Sequence, residues 1–471
     1  MKQIEKKQIL DLLDKPLEFL VRLYEMFDDV SVFNEASNKI FTSPSEKEAF
    51  RRLTDSLHGN IVKMFLPHSD MYQKTILHKI VDTHYDDNYH TLCLSLFKAI
   101  GEYLVGYRMG ALKNLKELGK FGTITVTIKP PNPIYKSLDN PVKTSYGTGM
   151  HDITDICEKL SFIRETTGPK IRLQRNISIQ KTNSRLQERI RYGFRIAVTP
   201  FTKQLDFEVK SLLDSSPPHG KTPFWFTGIK NTENSKMYLS KILETAIREN
   251  ADVLVLPELT IDKALLEFLQ NWLLEKNMGI INRGANGLLM VVAGSFHREE
   301  SEGKIYNVST VFNYKGDILS IQKKIQRYSF DSNDVKKNES LKTLLKTSDY
   351  GGYECIETFD AIHCIDTPIG RIAVCICMDY FHEKHTEALK QSGITVFLVP
   401  AMSHQNTRFV DIAKIFGGTN RASSFIANSS YLAKRDGDLV HKDGASFFIS
   451  PIQKSHIRMQ NKTTLNCFVM I

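Results

Sequence analysis

Three reactive side chains in this chain each stand just beyond a short segment of regular pattern. Glu258 follows the apolar run 253–256 and a proline, Cys377 ends the apolar run 372–376, and Lys324 follows a segment that reads as a β-hairpin. Open α/β sheets usually carry their active sites at the carboxyl ends of their strands. The pattern therefore predicts that a carboxylate, an ammonium and a thiol converge at one edge of a sheet.

These residue types together suit nucleophilic catalysis. A carboxylate beside apolar walls has a raised proton affinity, which makes Glu258 a candidate general base or acid. A desolvated lysine stabilises a developing oxyanion, the role expected of Lys324. Cys377 precedes the polar segment 379–383, and a cysteine at a helix start has its thiolate favoured by the helix dipole, so it is a candidate nucleophile. Taken singly, each residue is explained as well by a helix start, a surface lysine or a core cysteine.

The ordered set resembles the nitrilase, or carbon–nitrogen hydrolase, superfamily. That family has a strand ending in Pro-Glu, a lysine after a hairpin that contains Tyr-Asn and Gly-Asp, and a strand ending in Cys-x-Asp with Phe-x-Glu shortly after. All three signatures occur here in order, with a supporting motif before the hairpin: Leu256-Pro257-Glu258; Val292-Ala293-Gly294-Ser295; Tyr306-Asn307, Gly316-Asp317 and Lys324-Ile325; Cys377-Met378-Asp379 and Phe381-His382-Glu383. The resemblance covers about residues 190 to 471.

The resemblance implies the fold class, an α/β protein with a nitrilase-like α-β-β-α sandwich. It also implies a mechanism in which Glu258 takes the proton of Cys377, the thiolate attacks an amide or nitrile carbon, and Lys324 stabilises the oxyanion before water hydrolyses the thioester. A small-molecule amide is the expected substrate ahead of a nitrile. The family implies no metal and no organic cofactor, and it implies association of the outer helices into a homo-oligomer.

A second carboxylate is expected in this family between the lysine and the cysteine. No residue matches that motif clearly in this sequence. Glu339 is the first candidate, followed by Glu354 and Glu357.

The alternative hypothesis from the same sequence is that this is an interaction protein. The family pattern is broken at Gln326-Arg327, where His-Leu is usual, and at Ser424-Phe425, where Glu-Asn is usual. A catalytically degenerate nitrilase-fold domain would then serve as an assembly or sensor module in a multi-component bacterial system, for instance an antiviral, nucleic-acid-associated one. The biological activity of a Cys377→Ala variant distinguishes this reading from the enzymatic one.

A metal site is a rival explanation for the cysteines. Cys375 and Cys377, with His382 and His385 and the pair His363-Cys364, supply soft ligands in number. However, Cys375 lies inside an apolar strand, and the two-residue spacing lacks the turn and glycine of a zinc knuckle. Catalysis by one cysteine and packing of the other is the better explanation.

The length of 471 residues suits two or three domains. Apolar residues at helical spacing predict a helical domain of unknown role at 1–120, and residues 121–189 read as a mixed, basic connector. The hydrolase domain is predicted at 190–471. Residues 159–195 hold ten Lys or Arg against two Glu. This stretch favours a solvated helix face, with a nucleic-acid or protein partner for it and the N-terminal region as the alternative.

The composition is that of an ordinary globular protein, with 41% hydrophobic and 24% charged residues and a net charge of +9. Seven cysteines are an odd and thinly spread number, unlike a disulfide framework. No apolar run approaches the roughly 20 residues that cross a bilayer, and the first residues lack the apolar core of a secretory signal. The expected location is the cytoplasm, without membrane contact.

Overall fold

The computed structural model describes most of the C-terminal half of the chain and the helices before it. The described residues are 5–13, 15–27, 30–41, 43–65, 71–86, 88–111, 117–121, 123–128, 160–164, 168–174, 194–201, 206–211, 221–300, 303–337, 342, 350–367, 370–403, 406–429, 434–435, 438–439, 446–449, 460–462 and 465–470.

The N-terminal part of the chain forms helices whose apolar faces meet in one core. In the second helix a proline stands at the first position, where its missing N–H costs nothing, and Phe19, Leu20, Leu23 and Phe27 are buried at helical spacing. The predicted, mainly helical N-terminal domain is confirmed. The helices are α1 (Lys6–Leu12), α2 (Pro16–Phe27), α3 (Val30–Phe41), α4 (Pro44–Met64), α5 (Met71–His84) and α6 (Tyr89–Ala111).

A three-stranded antiparallel sheet follows these helices and belongs to the same core. Its strands are β1 (Glu117–Phe121), β2 (Ile124–Ile128) and β3 (Leu160–Arg164). Phe162 is fully buried and stacks on Tyr24 of α2 at a centroid distance of 4.3 Å. The described strands of the predicted connector therefore pack with the helices. The domain boundaries at residues 120 and 190 stay a prediction.

The first sheet of the C-terminal part is mixed. Its central strands β5, β8 and β9 run parallel, and the predicted hairpin β11–β12 is present, with Gly316 in the left-handed region at its turn (φ 85°). The sheet has the order β10-β11-β9-β8-β5-β23-β22, with β12 beside β11; its strands are β5 (Phe194–Val198), β8 (Val253–Val255), β9 (Met290–Val292), β10 (Phe296–Glu299), β11 (Ile305–Asn313), β12 (Ile318–Lys323), β22 (Gln460–Lys462) and β23 (Leu465–Met470).

The second sheet lies against the first. Its order is β21-β18-β17-β16-β15-β4, with β4 (Lys170–Gln174), β15 (Ala361–Thr367), β16 (Gly370–Val374), β17 (Val396–Ala401), β18 (Ser423–Asn428) and β21 (Phe447–Ile449). The strand that the sequence extended to Cys377 ends at Val374, so the cysteine stands beyond the sheet on a turn. Part of the basic stretch forms β4, which is a strand rather than the favoured helix face.

Short strands and helices complete this part of the chain. A four-stranded sheet has the order β13-β14-β7-β6, and β19 pairs with β20. The strands are β6 (Phe207–Ser211), β7 (Lys221–Ile229), β13 (Ser329–Phe330), β14 (Gly351–Glu354), β19 (Lys434–Arg435) and β20 (Asp438–Leu439); the helices are α7 (Thr232–Arg248), α8 (Lys263–Trp272), which continues as a π-turn over Leu273–Asn277, α9 (Met278–Asn282), α10 (Ser332–Lys337), α11 (Met378–Phe381), α12 (Glu383–Gln391) and α13 (Thr407–Thr419).

The layers follow the order helix, sheet, sheet, helix. Between the two sheets, Val255 and Val311 pack in one buried cluster with Leu398. On the outer faces, Leu243 of α7 shares a cluster with the first sheet, and Phe416 of α13 shares one with the second. This confirms the predicted α-β-β-α sandwich behind a mainly helical domain. None of the helices in the described part of the chain combines the length and apolar character needed to cross a membrane.

Candidate active site

Glu258 is fixed at the carboxyl end of β8 by its immediate neighbours. The preceding carbonyl, that of Pro257, lies so close to Gly294 that a Cβ at that glycine would clash with its oxygen, and Gly294 has a φ of 59°. Thr260 donates its hydroxyl to the same carbonyl at 2.8 Å. These contacts present the Glu258 side chain inward, where only 2% of it is exposed.

Lys324 follows the last residue of β12 and points inward. Its backbone N–H donates to the carbonyl of Asn307 at 2.8 Å, so the β11–β12 ladder reaches as far as the lysine. Its Nζ donates to Oε1 of Glu258 at 2.8 Å and to Oε2 of Glu354 at 2.7 Å. A buried ammonium needs such charged partners, because burial alone would strip its hydration without replacement.

Cys377 lies on a sharp turn between β16 and α11. Its φ of 48° and ψ of −106° are unusual for a residue with a side chain, and its N–H donates to the carbonyl of Pro400 at 2.9 Å. Such strained backbone is tolerated where neighbouring structure holds it, often at functional sites. The thiol is in hydrogen-bonding range of the Glu258 carboxylate. The structure thus brings together Glu258, Lys324 and Cys377, the three residues that the sequence singled out.

A fourth side chain, Glu354, completes the cluster. It ends β14, is 2% exposed, and accepts hydrogen bonds from Lys324 and from the backbone N–H of Tyr328 at 2.9 Å. The sequence analysis placed Glu354 and Glu357 behind Glu339; Glu339 lies outside the described residues, and Glu357 is exposed. The second carboxylate at this site is therefore Glu354.

Asn307 and His297 hold the two carboxylates in place. Nδ2 of Asn307 donates to Oε1 of Glu258 at 3.0 Å and to Oε1 of Glu354 at 2.9 Å. Nδ1 of His297 accepts the N–H of Phe226 at 2.8 Å, so its proton is on Nε2, which donates to Glu354 at 2.9 Å. Asn307 belongs to the Tyr306-Asn307 motif noted in the sequence. His297 was missed, and the one sequence feature that could have indicated it is a polar residue next to an apolar run.

The charges of the cluster stabilise one another. Burial disfavours the charged form of Lys324, but the carboxylates of Glu258 and Glu354 outweigh it and hold its pKa well above the usual value. Burial likewise opposes ionisation of Glu354, yet Lys324 and His297 hold its pKa well below the usual value. The lysine is therefore an ammonium and Glu354 a carboxylate at neutral pH.

Cys377 differs in this respect from the sequence-based expectation of a favoured thiolate. Burial raises the pKa of its thiol well above the usual value, and the neighbouring Glu258 carboxylate raises it further, against the effect of Lys324. The helix that follows, α11, has only four residues, so its dipole contributes little. The resting cysteine is a thiol that needs a base, and Glu258 is the carboxylate beside it.

Asp379, two residues beyond the cysteine, joins the cysteine turn to the lysine segment. Its carboxylate accepts the N–H of Ile325 at 3.0 Å and that of Gln326 at 2.8 Å. Burial raises the pKa of Asp379 to about 7, while these two N–H donors oppose the rise. The aspartate of the Cys-x-Asp motif is thus a buried link between the two segments that carry Lys324 and Cys377.

The described part of the basic stretch has partners within the chain. Nζ of Lys170 lies 2.9 Å from the carboxylate of Asp360, and Arg172 lies 3.7 Å from the same carboxylate and over the ring of Phe359. Among the described residues, no group of three or more His, Cys, Asp or Glu is arranged to hold a metal ion. Cys364 and Cys375, which the metal hypothesis used, are buried in apolar surroundings.

Known proteins are similar to part of this chain. Residues 229–440 match the family model for carbon-nitrogen hydrolase. Among solved structures, Nit3 from Saccharomyces cerevisiae, a member of branch 10 of the nitrilase superfamily, has 14% identity over 59% of this chain and 90% of its own, with a TM-score of 0.37. An amidase from Nesterenkonia sp. has 15% identity over 59% and 90%, with a TM-score of 0.39. A glutamine-dependent NAD+ synthetase from Acinetobacter baumannii has 16% identity over 50% of this chain and 38% of its own, with a TM-score of 0.32. No curated protein sequence matches this chain.

Glu258, Lys324 and Cys377 all lie within residues 229–440, the part of the chain that matches the carbon-nitrogen hydrolase family. This match agrees with the family that the motifs predicted for this part of the chain. The family match does not include the N-terminal helices.

Proposed function

We propose that the C-terminal domain hydrolyses a carbon–nitrogen bond, in an amide rather than a nitrile, through a thioester on Cys377. The observation that carries the proposal is the position of Lys324. Its ammonium joins two buried carboxylates, and one of them, Glu258, is within hydrogen-bonding range of the cysteine thiol. Nucleophile, base and cation are the three groups that acyl transfer from an amide requires.

The first half-reaction transfers the acyl group to sulfur. Glu258 accepts the thiol proton as Sγ of Cys377 bonds to the carbonyl carbon, and the carbonyl electron pair moves to oxygen. Nζ of Lys324 and the N–H of Met378, the first amide of α11, stabilise the resulting oxyanion. When the tetrahedral intermediate collapses, the carbon–nitrogen bond breaks and Glu258 returns the proton to the leaving amine.

The second half-reaction releases the acid. Glu258, again a carboxylate, removes a proton from water as the water oxygen attacks the thioester carbon. Lys324 and the same backbone amide stabilise the second oxyanion. The carbon–sulfur bond then breaks, and the thiolate of Cys377 recovers a proton from Glu258, which restores the resting thiol.

Glu354 acts on the lysine in this mechanism. Lys324 must stay charged and must stay in place when Glu258 becomes neutral after the proton transfer. A second carboxylate, held by His297, Asn307 and the N–H of Tyr328, preserves an anionic partner for the ammonium at that moment. It also limits the side-chain freedom of the lysine, which would otherwise weaken oxyanion stabilisation.

A panel of small amides and nitriles, followed by intact-protein mass spectrometry, tests the proposal. Wild type is expected to release ammonia or amine and to show a covalent adduct of the mass of the acyl group. Cys377→Ala is expected to show neither, whereas Cys375→Ala, a change two residues back in the buried core, keeps the adduct. An adduct that survives in Cys377→Ala would contradict the proposal, as would ammonia release equal to that of wild type.

A role as an assembly or sensor module is the second candidate, and the N-terminal part of the chain favours it. Arg371 of the hydrolase domain donates to Ser161 of the N-terminal sheet at 2.8 Å and is fully buried there. An additional domain fixed in this way suits a protein partner or an acidic one such as nucleic acid. If Cys377→Ala retains full biological activity in the native host, the function of the protein is assembly or sensing. If the variant folds normally but loses that activity, the function is catalysis.

A further inference from the structure

A histidine outside the catalytic group lies between the two segments that carry it. His385, in the first turns of α12, is 2% exposed. Its Nδ1 lies 3.0 Å from the backbone carbonyl oxygen of Asp379, and its Nε2 lies 3.2 Å from Nε2 of Gln326. One imidazole therefore contacts both the turn after Cys377 and the segment after Lys324.

The two partners define the protonation of the ring. A carbonyl oxygen only accepts, so Nδ1 of His385 carries the proton and donates it to Asp379. Nε2 is then an acceptor and takes an N–H from the side-chain amide of Gln326. Burial lowers the pKa of His385 to about 4, so this neutral form persists at neutral pH.

These bonds close a ring with those of Asp379. The Asp379 carboxylate accepts the N–H groups of Ile325 and Gln326, and His385 connects the Asp379 carbonyl back to the Gln326 side chain. Ile325 is bonded directly to Lys324, and Asp379 is two residues from Cys377. Displacement of either segment would break at least one member of the ring and leave a buried polar group unpaired, which costs roughly tenfold to a hundredfold in population.

The helix that carries His385 is itself fixed at its far end. The carbonyl of Ser392, the residue that follows α12, accepts from Nη1 of Arg371 at 2.6 Å. Nε of the same guanidinium donates to Asp366 of β15 at 2.7 Å. These contacts anchor the C-terminal end of α12, the helix that carries His385, to β15 and β16.

We propose that His385 is a positioning residue, which holds the cysteine turn and the lysine segment in register through Asp379 and Gln326. This inference rests on the proposed hydrolase function of the same site and adds a residue that no motif marked. The ring of His385 forms its hydrogen bonds with Asp379 and Gln326, not with the sulfur of Cys377. It acts through the distance between Cys377 and Lys324.

Two measurements on His385→Leu test the proposal. Hydrogen exchange followed by mass spectrometry measures how well the ring of hydrogen bonds protects its backbone amides. Peptides that contain 324–327 and 377–380 are expected to exchange roughly tenfold faster or more in the variant. The burst of nitrophenolate from p-nitrophenyl acetate, corrected for the burst of Cys377→Ala, reads acylation. Its maximal rate is expected to fall roughly tenfold to a hundredfold, while the half-saturating ester concentration changes little.

Matched variants separate positioning from general damage. His363 is half-buried in β15, and its Nδ1 donates to the carbonyl of Ile321 at 2.7 Å, a contact that involves neither Asp379 nor Gln326. His363→Leu is expected to leave the burst unchanged. His385→Asn, whose side-chain amide can replace the Nδ1 donor, is expected to recover most of the lost rate. Because His385 and Gln326 act through one contact, His385→Leu combined with Gln326→Leu is expected to be little slower than His385→Leu alone.

The outcomes distinguish this inference from the proposed function. Unchanged exchange at 324–327 in His385→Leu would overturn the positioning role even if the enzyme is active. A loss of rate that appears only in the half-saturating concentration would overturn it as well. If wild type shows no burst above Cys377→Ala, the hydrolase proposal fails, and the exchange data still decide whether His385 holds the two segments together.

Discussion

Nζ of Lys324 lies 2.7 Å from Oε2 of Glu354, although the two residues are thirty positions apart in the chain. The contact joins the end of the β11–β12 hairpin to the end of β14, a strand of a different sheet. Since Lys324 also contacts Glu258, one ammonium lies between two carboxylates in a site with almost no solvent. The site therefore keeps an ion pair whichever step has neutralised Glu258.

The change Glu354→Gln tests this arrangement. It keeps the size of the side chain but removes its charge, so Lys324 loses its permanent anionic partner and a freer lysine supports the oxyanion less well. We expect kcat to fall roughly a hundredfold, with a smaller change in KM, in steady-state assays on the best amide of the panel. Glu357→Gln makes the same chemical change at an exposed position three residues on, and equal losses in the two variants would contradict the role of Glu354.

The pH dependence of stability follows from Asp379. Burial raises its pKa in the folded protein from 3.8 to about 7. Between these two values the folded state keeps a proton that the unfolded state has lost, so the free energy of unfolding falls as the pH rises from about 4 to 7. The fall is on the order of 4 kcal/mol at most, from about 1.4 kcal/mol per pH unit.

Thermal unfolding at intervals from pH 4 to pH 8 measures this effect. Asp379→Asn cannot titrate, so we expect its Tm to depend less on pH than that of wild type across this window. Asp360→Asn is the matched control, because Asp360 is exposed and the hydrogen bond from Lys170 lowers its pKa, which places its titration below the window. Parallel Tm profiles for wild type and Asp379→Asn would show that Asp379 is not the titrating group.

A glycine is required at position 294, just after β9, because the chain there passes very close to Pro257, the residue before Glu258. Alanine there would combine a φ of 59° with a clash against the Pro257 carbonyl oxygen, so the carbonyl and the adjoining Glu258 must move. We expect Gly294→Ala to lower kcat by roughly a hundredfold, because a base displaced by about 1 Å no longer reaches the thiol. Assays of kcat and of Tm measure both consequences.

Gly303→Ala separates the clash from the backbone strain. Gly303 has a comparable φ of 70°, but a Cβ there would meet its nearest atom, in the Glu299 side chain, only at 4.0 Å. Both alanines bear the cost of a left-handed residue, roughly 1 kcal/mol. Only Gly294→Ala should lose activity, and a similar loss in Gly303→Ala would refute the explanation.

Local sequence pattern was sufficient to predict that Glu258, Lys324 and Cys377 stand just beyond strands. Glu258 and Lys324 stand at the ends of segments whose apolar pattern is evident, and the hairpin that leads to Lys324 turns at a glycine, as expected. The order of the motifs was enough to predict that these residues lie close to Cys377. No distance was needed for this prediction, because the strands of one layered fold bring their ends to a common edge.

Choices that depend on long-range contacts could not be made from the sequence. Glu354 enters the site because β14 pairs in parallel with β7, more than a hundred residues earlier, and nothing near Glu339 or Glu354 shows that pairing. The nearby Gly351 reflects a different neighbour, since a Cβ there would clash with the carbonyl oxygen of Phe330 in β13. The prediction of a favoured thiolate at Cys377 was wrong for a related reason. Burial raises the pKa of this thiol, and burial is a property of the whole fold.

Arg371 shows the same limit at the junction of the two parts of the chain. It is fully buried in β16 and forms an ion pair with Asp366 at 2.7 Å. Its other N–H groups donate to Ser161 Oγ at 2.8 Å and to the carbonyl of Ile128 at 3.1 Å, both in the N-terminal sheet. These partners lie more than two hundred residues away, so the sequence shows only a charged residue in an apolar strand.

Replacement of Arg371 by leucine should destabilise both parts of the chain together. The change leaves the Asp366 carboxylate buried without its cation, which costs roughly 3–5 kcal/mol, and frees the strands of the N-terminal sheet. We expect a lower Tm and faster proteolysis within the N-terminal part. Arg172→Leu, an exposed arginine in β4, should change stability by no more than about 0.5 kcal/mol. Adding Asp366→Leu to Arg371→Leu should recover part of the loss, since it removes the buried carboxylate; a further fall instead would mean that the carboxylate has another essential partner.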